Sequence, residues 1–205
     1  MPELERRGHR TVCVDLPVNE PQAGANRYAQ VIGEALQTSK EPPIVVATSA
    51  SGMFLPLVPE YVRVAHLVYL AAVIPEPGKS VLQRFQADPH MFNPEWIGKD
   101  PTKDPAVAQQ FLFHDCEPAV ADWALTTMRL MYARTAMAEP CPLRRWPAVP
   151  STCIFCRADR TVNPEWWRRE AERLLGSPPV ELPGGHCPHV SRPAELAALL
   201  SSLPE

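Results

Sequence analysis

The sequence predicts an α/β protein built on a parallel, doubly wound sheet, with a helical insertion before the sheet resumes. Three observations carry that reading. From residue 2 to residue 71, helical and strand patterns alternate with short links, which makes a parallel sheet with helices on both faces. Ile44–Thr48 is a short apolar run rich in β-branched side chains, the mark of a strand buried on both faces, and four small residues, Ser49-Ala50-Ser51-Gly52, follow it at once. The alternation stops at Pro75, in a region that carries many of the 25 prolines, and returns at Ser151.

In chain order, residues 2–7 read as the end of a helix. Arg6 and Arg7 suit its negative C-terminus, and Gly8 is the left-handed cap. Thr11–Leu16 is a strand stopped by Pro17. Tyr28, Val31, Ile32, Ala35 and Leu36 then share one helical face. After the Ile44–Thr48 strand, Met53, Phe54, Leu55 and Leu57 fall at spacings that predict a helix packed on the sheet. Val62–Ala71 is the next strand, apolar except for Arg63 and His66.

The interrupted stretch holds Phe85, Phe92, Trp96, Phe111, Phe113, Trp123 and Tyr132. Val120, Trp123, Ala124, Thr127, Leu130 and Met131 trace a helical face with Pro118 near its start. Ser151–Cys156 resumes the sheet, Asn163 and Pro164 open a helix, and Val180–Leu182 is a last short strand. The final helix starts near Ser191 or Pro193 and buries Leu196, Leu199, Leu200 and Leu203. Residues 1–75 and 150–205 therefore form the core, and 76–149 a helical cap over the strand ends. Most cap aromatics pack against the body, and a minority line a largely apolar pocket.

A net charge of −3 with scattered arginines argues against a nucleic-acid partner. No apolar run reaches membrane-spanning length and the N-terminal residues lack a basic-then-apolar pattern, so with Met1 as the start a cytoplasmic protein is expected. Of the six cysteines, Cys13, Cys153 and Cys156 lie in expected strands, where cysteine serves as a small hydrophobe. Residues three apart in a strand face opposite ways. That sets aside a redox reading of Cys153 and Cys156, and counts against zinc held by them with His186, Cys187 and His189. No metal is expected.

A strand that turns sharply into a helix around a serine is a nucleophile elbow, whose usual pattern is G-x-S-x-G. Here the frame reads Ala47-Thr48-Ser49-Ala50-Ser51-Gly52, with the next smallest residues in the glycine slots. Centring it on Ser51 would force Met53 into a crowded slot, so Ser49 is the expected nucleophile. A serine hydroxyl needs a neutral imidazole to take its proton and a carboxylate to orient that imidazole. Asp159 and His186 each follow a later strand, giving the order Ser, Asp, His with every member at a strand's carboxyl end. The Ala50 backbone N–H offers one oxyanion donor. Glu76 is the weaker acid and His189 the weaker base. His9, His66, His90 and His114 have no such context and are expected to be structural or exposed.

With these residues in place, the chain resembles the α/β-hydrolase superfamily, near the group of plant methylesterases, hydroxynitrile lyases and their bacterial relatives. The resemblance rests on G-H-R-T-V-C-V-D-L-P (8–17), I-V-V-A-T-S-A-S-G-M (44–53), L-V-Y-L-A-A-V-I-P-E-P-G (67–78) and L-P-G-G-H-C-P-H-V-S-R-P (182–193). It implies a sheet topped by a small helical cap, a small-molecule substrate and no cofactor. Hydrolysis of a small, fairly apolar carboxylic ester is the first expectation. Lyase chemistry on the same residues, or a non-catalytic binding role, are the alternatives. Hydroxynitrile lyases of the group carry a lysine after the histidine, where this chain has Cys187. The family also has a strand and an oxyanion loop ahead of the helix that ends at Arg7, and that strand lies between Thr11–Leu16 and Ile44–Thr48. The resemblance thus implies that these two strands either pair directly or face an open gap, and that the chain is a weak catalyst.

Overall fold

The computed structural model describes residues 1–129 and 133–204; Leu130, Met131 and Tyr132 of the expected insertion lie outside the described residues. Four parallel strands, β1 (Ile44–Thr48), β2 (His66–Leu70), β3 (Ser151–Cys156) and β4 (Val180–Leu182), form one sheet in the order β1-β2-β3-β4. The register sets Val46 beside Val68, Tyr69 beside Cys153 and Phe155 beside Glu181. Spatial order follows chain order, so every crossover steps the sheet in the same direction and all four carboxyl ends lie along one rim.

Strand side chains alternate between two apolar layers, as a period of two requires. Val45, Ala47, Leu67, Tyr69 and Cys153 pack on one face with Tyr28, Ala29 and Ile32 of α2 (Ala25–Leu36). Trp166, Trp167 and Ala171 of α7 (Pro164–Leu175) join that layer. On the other face, Val68, Leu70, Ile154, Cys156 and Leu182 pack against Leu196 and Leu200 of α9 (Pro193–Ser201) and Leu4 of α1 (Pro2–Arg6). Cys153 and Cys156 thus fall in different layers, and burial pushes both thiols up to about 12.

Several expectations are corrected. Thr11–Leu16 is not a strand: it belongs to no ladder, and Val12 is 46% exposed. The strand-like pattern is there, but a strand needs a neighbour for its N–H and C=O groups, and β1 is not that neighbour. β1 is consequently an edge strand and not buried on both faces, with Val46 37% exposed. Leu67 N–H donates to Pro150 C=O, just ahead of β3, and Ala71 N–H to Ile154 C=O within it, so His66, Val68 and Leu70 turn theirs to β1. By the same alternation Val45 and Ala47 answer β2, while Ile44, Val46 and Thr48 turn their main-chain groups to the open edge.

The helix expected after Ser49 is instead two 3-10 turns, Ser49–Met53 and Leu55–Glu60. Pro56 and Pro59 each remove an amide hydrogen that an α-helix would need. The expected strand at 62–71 is shorter, His66–Leu70, and the buried His66 bonds Thr152 Oγ1 at 2.9 Å.

Between β2 and β3 lie α3 (Val81–Ala87), α4 (Pro105–Phe111), α5 (Pro118–Thr127) and α6 (Arg134–Ala138). Ser80 and Gln83 form a reciprocal capping box that starts α3, and Asp104 caps α4. α5 buries Ala121 and Ala124, whereas Trp123, expected on that face, points outward at 58% exposure. Arg84 of α3 is buried and ties the insertion to α7. Its guanidinium donates to the Ile74 carbonyl and to Glu170 at 2.9 Å, and lies 5.1 Å from the centre of the Trp166 ring. Arg173 closes the cluster through Glu170 at 2.6 Å and Glu76 at 2.8 Å. Among the described residues, no helix is long and apolar enough to cross a membrane.

Candidate active site

Ser49 is the first residue past β1, and its φ of +52° is a left-handed conformation that few non-glycine residues adopt. Two contacts hold it there. Its carbonyl accepts from Val73 N–H at 2.9 Å. Gly52 lets the turn press against the chain leaving β2, where a Cβ would collide with the Val73 carbonyl oxygen. Ser51 is occupied: its hydroxyl donates to Thr48 C=O at 2.5 Å and accepts from Thr48 N–H at 3.0 Å. Among the described residues the Ser49 hydroxyl makes no hydrogen bond, in contrast to that of Ser51. Ala50 is the second residue of the turn, where N–H groups have no partner within the turn itself.

The loops after β3 and β4 bring Asp159 and His186 together. They are zipped side by side by Arg157 N–H to Leu182 C=O at 3.0 Å and Ala158 N–H to Gly184 C=O at 2.9 Å. At the end of that zipper His186 Nδ1 donates to Asp159 Oδ2 at 2.7 Å, with both side chains buried. Asp159 Oδ1 accepts from Thr161 N–H at 2.7 Å, Thr161 Oγ1 at 2.9 Å and Val162 N–H at 3.2 Å. Burial pushes the Asp159 carboxyl up, but the neighbouring His186 and these hydrogen bonds outweigh it and hold the carboxyl below its usual range. A carboxylate cannot donate, so the proton of this bond sits on Nδ1 and Nε2 is the ring nitrogen left free of Asp159.

The structure joins Asp159 to His186 by a hydrogen bond and gives no such bond between His186 and Ser49. Glu76 is taken up by Lys79 and Arg173, and His189 is exposed on α8 (Pro188–Ser191). His9 bonds Ser201, and His90 is exposed. Sequence reasoning missed Thr161, whose buried hydroxyl also lies 2.8 Å from His186 Nδ1. Its signal was local, a threonine two residues after the aspartate, the spacing of a turn closed on its own carboxylate. It also left His114 without context, yet His114 Nε2 donates to Ala158 C=O at 3.0 Å, in the loop that carries Asp159.

A cavity lined by Met53, Pro75, Arg84 and Cys141 and a charged groove along α7 lined by Asp88, Trp166 and Arg169 do not include Ser49, Asp159 or His186. Among the described residues, no group of three or more His, Cys, Asp or Glu side chains is arranged to hold a metal ion.

A family model described as the alpha/beta hydrolase family matches residues 1–199, and the chain belongs to that family. Polyneuridine aldehyde esterase shares the fold at 22% identity, with 98% of this chain and 90% of that chain covered and a TM-score of 0.74. A methylesterase from Arabidopsis is similar at 17% identity, covering 98% and 89% with a TM-score of 0.73. A pyrethroid hydrolase from Sphingobium faniae JZ-2 is similar at 19%, covering 98% and 88% with a TM-score of 0.70. A curated relative, the alpha/beta hydrolase nvfD of Aspergillus novofumigatus, is 28% identical over 135 residues. That match takes in 63% of this chain and 53% of the relative, so the chain spans about half the relative's length.

Proposed function

We propose that the chain is a serine hydrolase that cleaves a small, fairly apolar carboxylic ester through an acyl-enzyme. Ser49 is the nucleophile, His186 the general base and then the general acid, and Asp159 the carboxylate that orients it. The 2.7 Å bond from His186 Nδ1 to Asp159 carries this reading, because it fixes the tautomer whose Nε2 can accept a proton. The names of the neighbouring folds, an esterase, a methylesterase and a pyrethroid hydrolase, support an ester as substrate.

In the first half-reaction His186 Nε2 takes the Ser49 proton as Oγ attacks the ester carbon. The resulting oxyanion is met by the Ala50 N–H at the start of the turn. The imidazolium, stabilised by Asp159, then passes its proton to the departing alkoxide. Water repeats the sequence on the acyl-enzyme and releases the acid. Residues 76–149 act as the cap over the rim and supply apolar wall to the substrate.

Labelling with a fluorophosphonate probe tests the assignment. Ser49→Ala should abolish both labelling and ester turnover. Labelling that survives in Ser49→Ala but disappears in Ser51→Ala would overturn it.

A further inference from the structure

We infer that His114 and Asp115 are positioning residues: a two-residue clamp from the insertion that holds the acid loop and the base loop in register, and so sets the His186 ring against Asp159. The inference rests on the serine-hydrolase reading for its effect on turnover, though not for its geometry.

His186 lies on no helix or strand of its own. It sits in the loop between β4 and α8, just after Gly184 and Gly185, and Gly184 has a φ of +100°. A loop of that composition has little stiffness, so something outside it must fix the ring. Two adjacent residues shortly after α4 do so. His114 Nε2 donates to Ala158 C=O at 3.0 Å, one residue before Asp159. Asp115 Oδ2 accepts from Gly185 N–H at 2.8 Å, one residue before His186. Each member of the buried pair therefore has its neighbouring peptide held by the same dipeptide.

The two glycines are needed for that approach. A Cβ on Gly185 would stand 2.6 Å from His114 Nε2 and 2.8 Å from Asp115 Oδ1, and one on Gly184 would stand 2.6 Å from Asp115 Oδ2. Asp115 is meanwhile poorly placed to serve as an ordinary stabilising charge. Its Oδ1 is buried without a hydrogen-bond partner, and Arg192 Nε is 3.8 Å from Oδ2. What the carboxylate does well is hold Gly185.

Asp115→Ala removes the acceptor, Asp115→Asn keeps one, and Gly185→Ala pushes the loop off the clamp. Each is compared with wild type by steady-state kinetics, counted per fluorophosphonate-reactive site, and by the downfield NMR signal of the His186 Nδ1 proton, assigned with His186→Ala. We expect Asp115→Ala and Gly185→Ala to lower kcat roughly 10- to 100-fold with KM little changed, the scale of a displaced catalytic group. Their Nδ1 signal should shift or broaden, and Asp115→Asn should recover both readouts. An unchanged Nδ1 signal and kcat per reactive site in folded Asp115→Ala would overturn the clamp, as would Asp115→Asn behaving like Asp115→Ala. If wild type hydrolyses no ester while Asp115→Ala still disturbs the Nδ1 signal, the clamp stands and the hydrolase reading falls.

Discussion

Gly52 runs directly against Val73: there is no room between its Cα and the Val73 carbonyl oxygen for even a methyl group. Because the obstacle is backbone and not a flexible side-chain end, the turn itself would have to move. Gly52→Ala is therefore expected to destabilise the protein by about 1–3 kcal/mol, the usual cost of overpacking, and to displace Ser49. Chemical denaturation and fluorophosphonate labelling measure the two effects. Normal stability with full labelling would show that the close approach is not required.

Ser51→Ala should separate structure from chemistry at the same turn. It loses the hydroxyl that bridges the Thr48 N–H and C=O. The expected cost is about 0.5–2 kcal/mol, that of a lost cap, with labelling retained. Denaturant midpoints read the first part and probe incorporation the second.

Thr161→Val swaps a hydroxyl for a methyl of similar size beside the buried pair. Asp159 Oδ1 loses a donor and His186 Nδ1 a neighbouring oxygen, at 2.9 and 2.8 Å. Leaving buried polar groups short of a partner costs about 1–3 kcal/mol. A fall in both stability and kcat is expected, with kcat the more affected, and an unchanged kcat would assign Thr161 to folding alone.

The depressed Asp159 carboxyl makes stability depend on pH in a definite direction. Its folded value lies below the unfolded one, so its contribution is complete above the unfolded carboxylate value of about 3.9. It is lost as pH falls from there through the folded value. Urea midpoints followed downward from pH 5 should drop more steeply for wild type than for Asp159→Asn. Parallel curves would mean that Asp159 titrates alike in both states.

Arg84 and Glu170 form a buried charge tie between the insertion and α7. Arg84→Ala would strand the buried Glu170, keeping only Arg173 as its partner. Breaking a buried pair in this way costs about 3–5 kcal/mol, large enough to read directly from a melting curve. A loss below about 1 kcal/mol, the range of exposed pairs, would show the cluster to be effectively solvated.

The parts of the fold legible in the sequence were those decided locally. Ile44–Thr48, Ser151–Cys156 and Val180–Leu182 announced themselves by short apolar runs, and Asn163-Pro164 by cap chemistry. The nearness of Asp159 to His186 also followed, since both sit at carboxyl ends of adjacent strands. Thr11–Leu16 failed because pattern describes side chains, whereas a strand exists only where another backbone answers it. The turns after Ser49 differ for another reason: apolar spacing fits a helix there, but Pro56 and Pro59 lack the amide hydrogens that an α-helix needs. His114 and Asp115 left no mark at all, since their partners are backbone groups more than forty residues away.

The bare edge of β1 has a consequence for exchange with solvent. The Val45 and Ala47 amides are shielded by β2, while those of Ile44 and Val46 look outward. In deuterated water the strand should label in a one-on, one-off rhythm, with two slow amides beside two fast ones. The same outward groups are a half-finished ladder, and as solutions grow concentrated a template of that kind recruits whatever extended chain it meets.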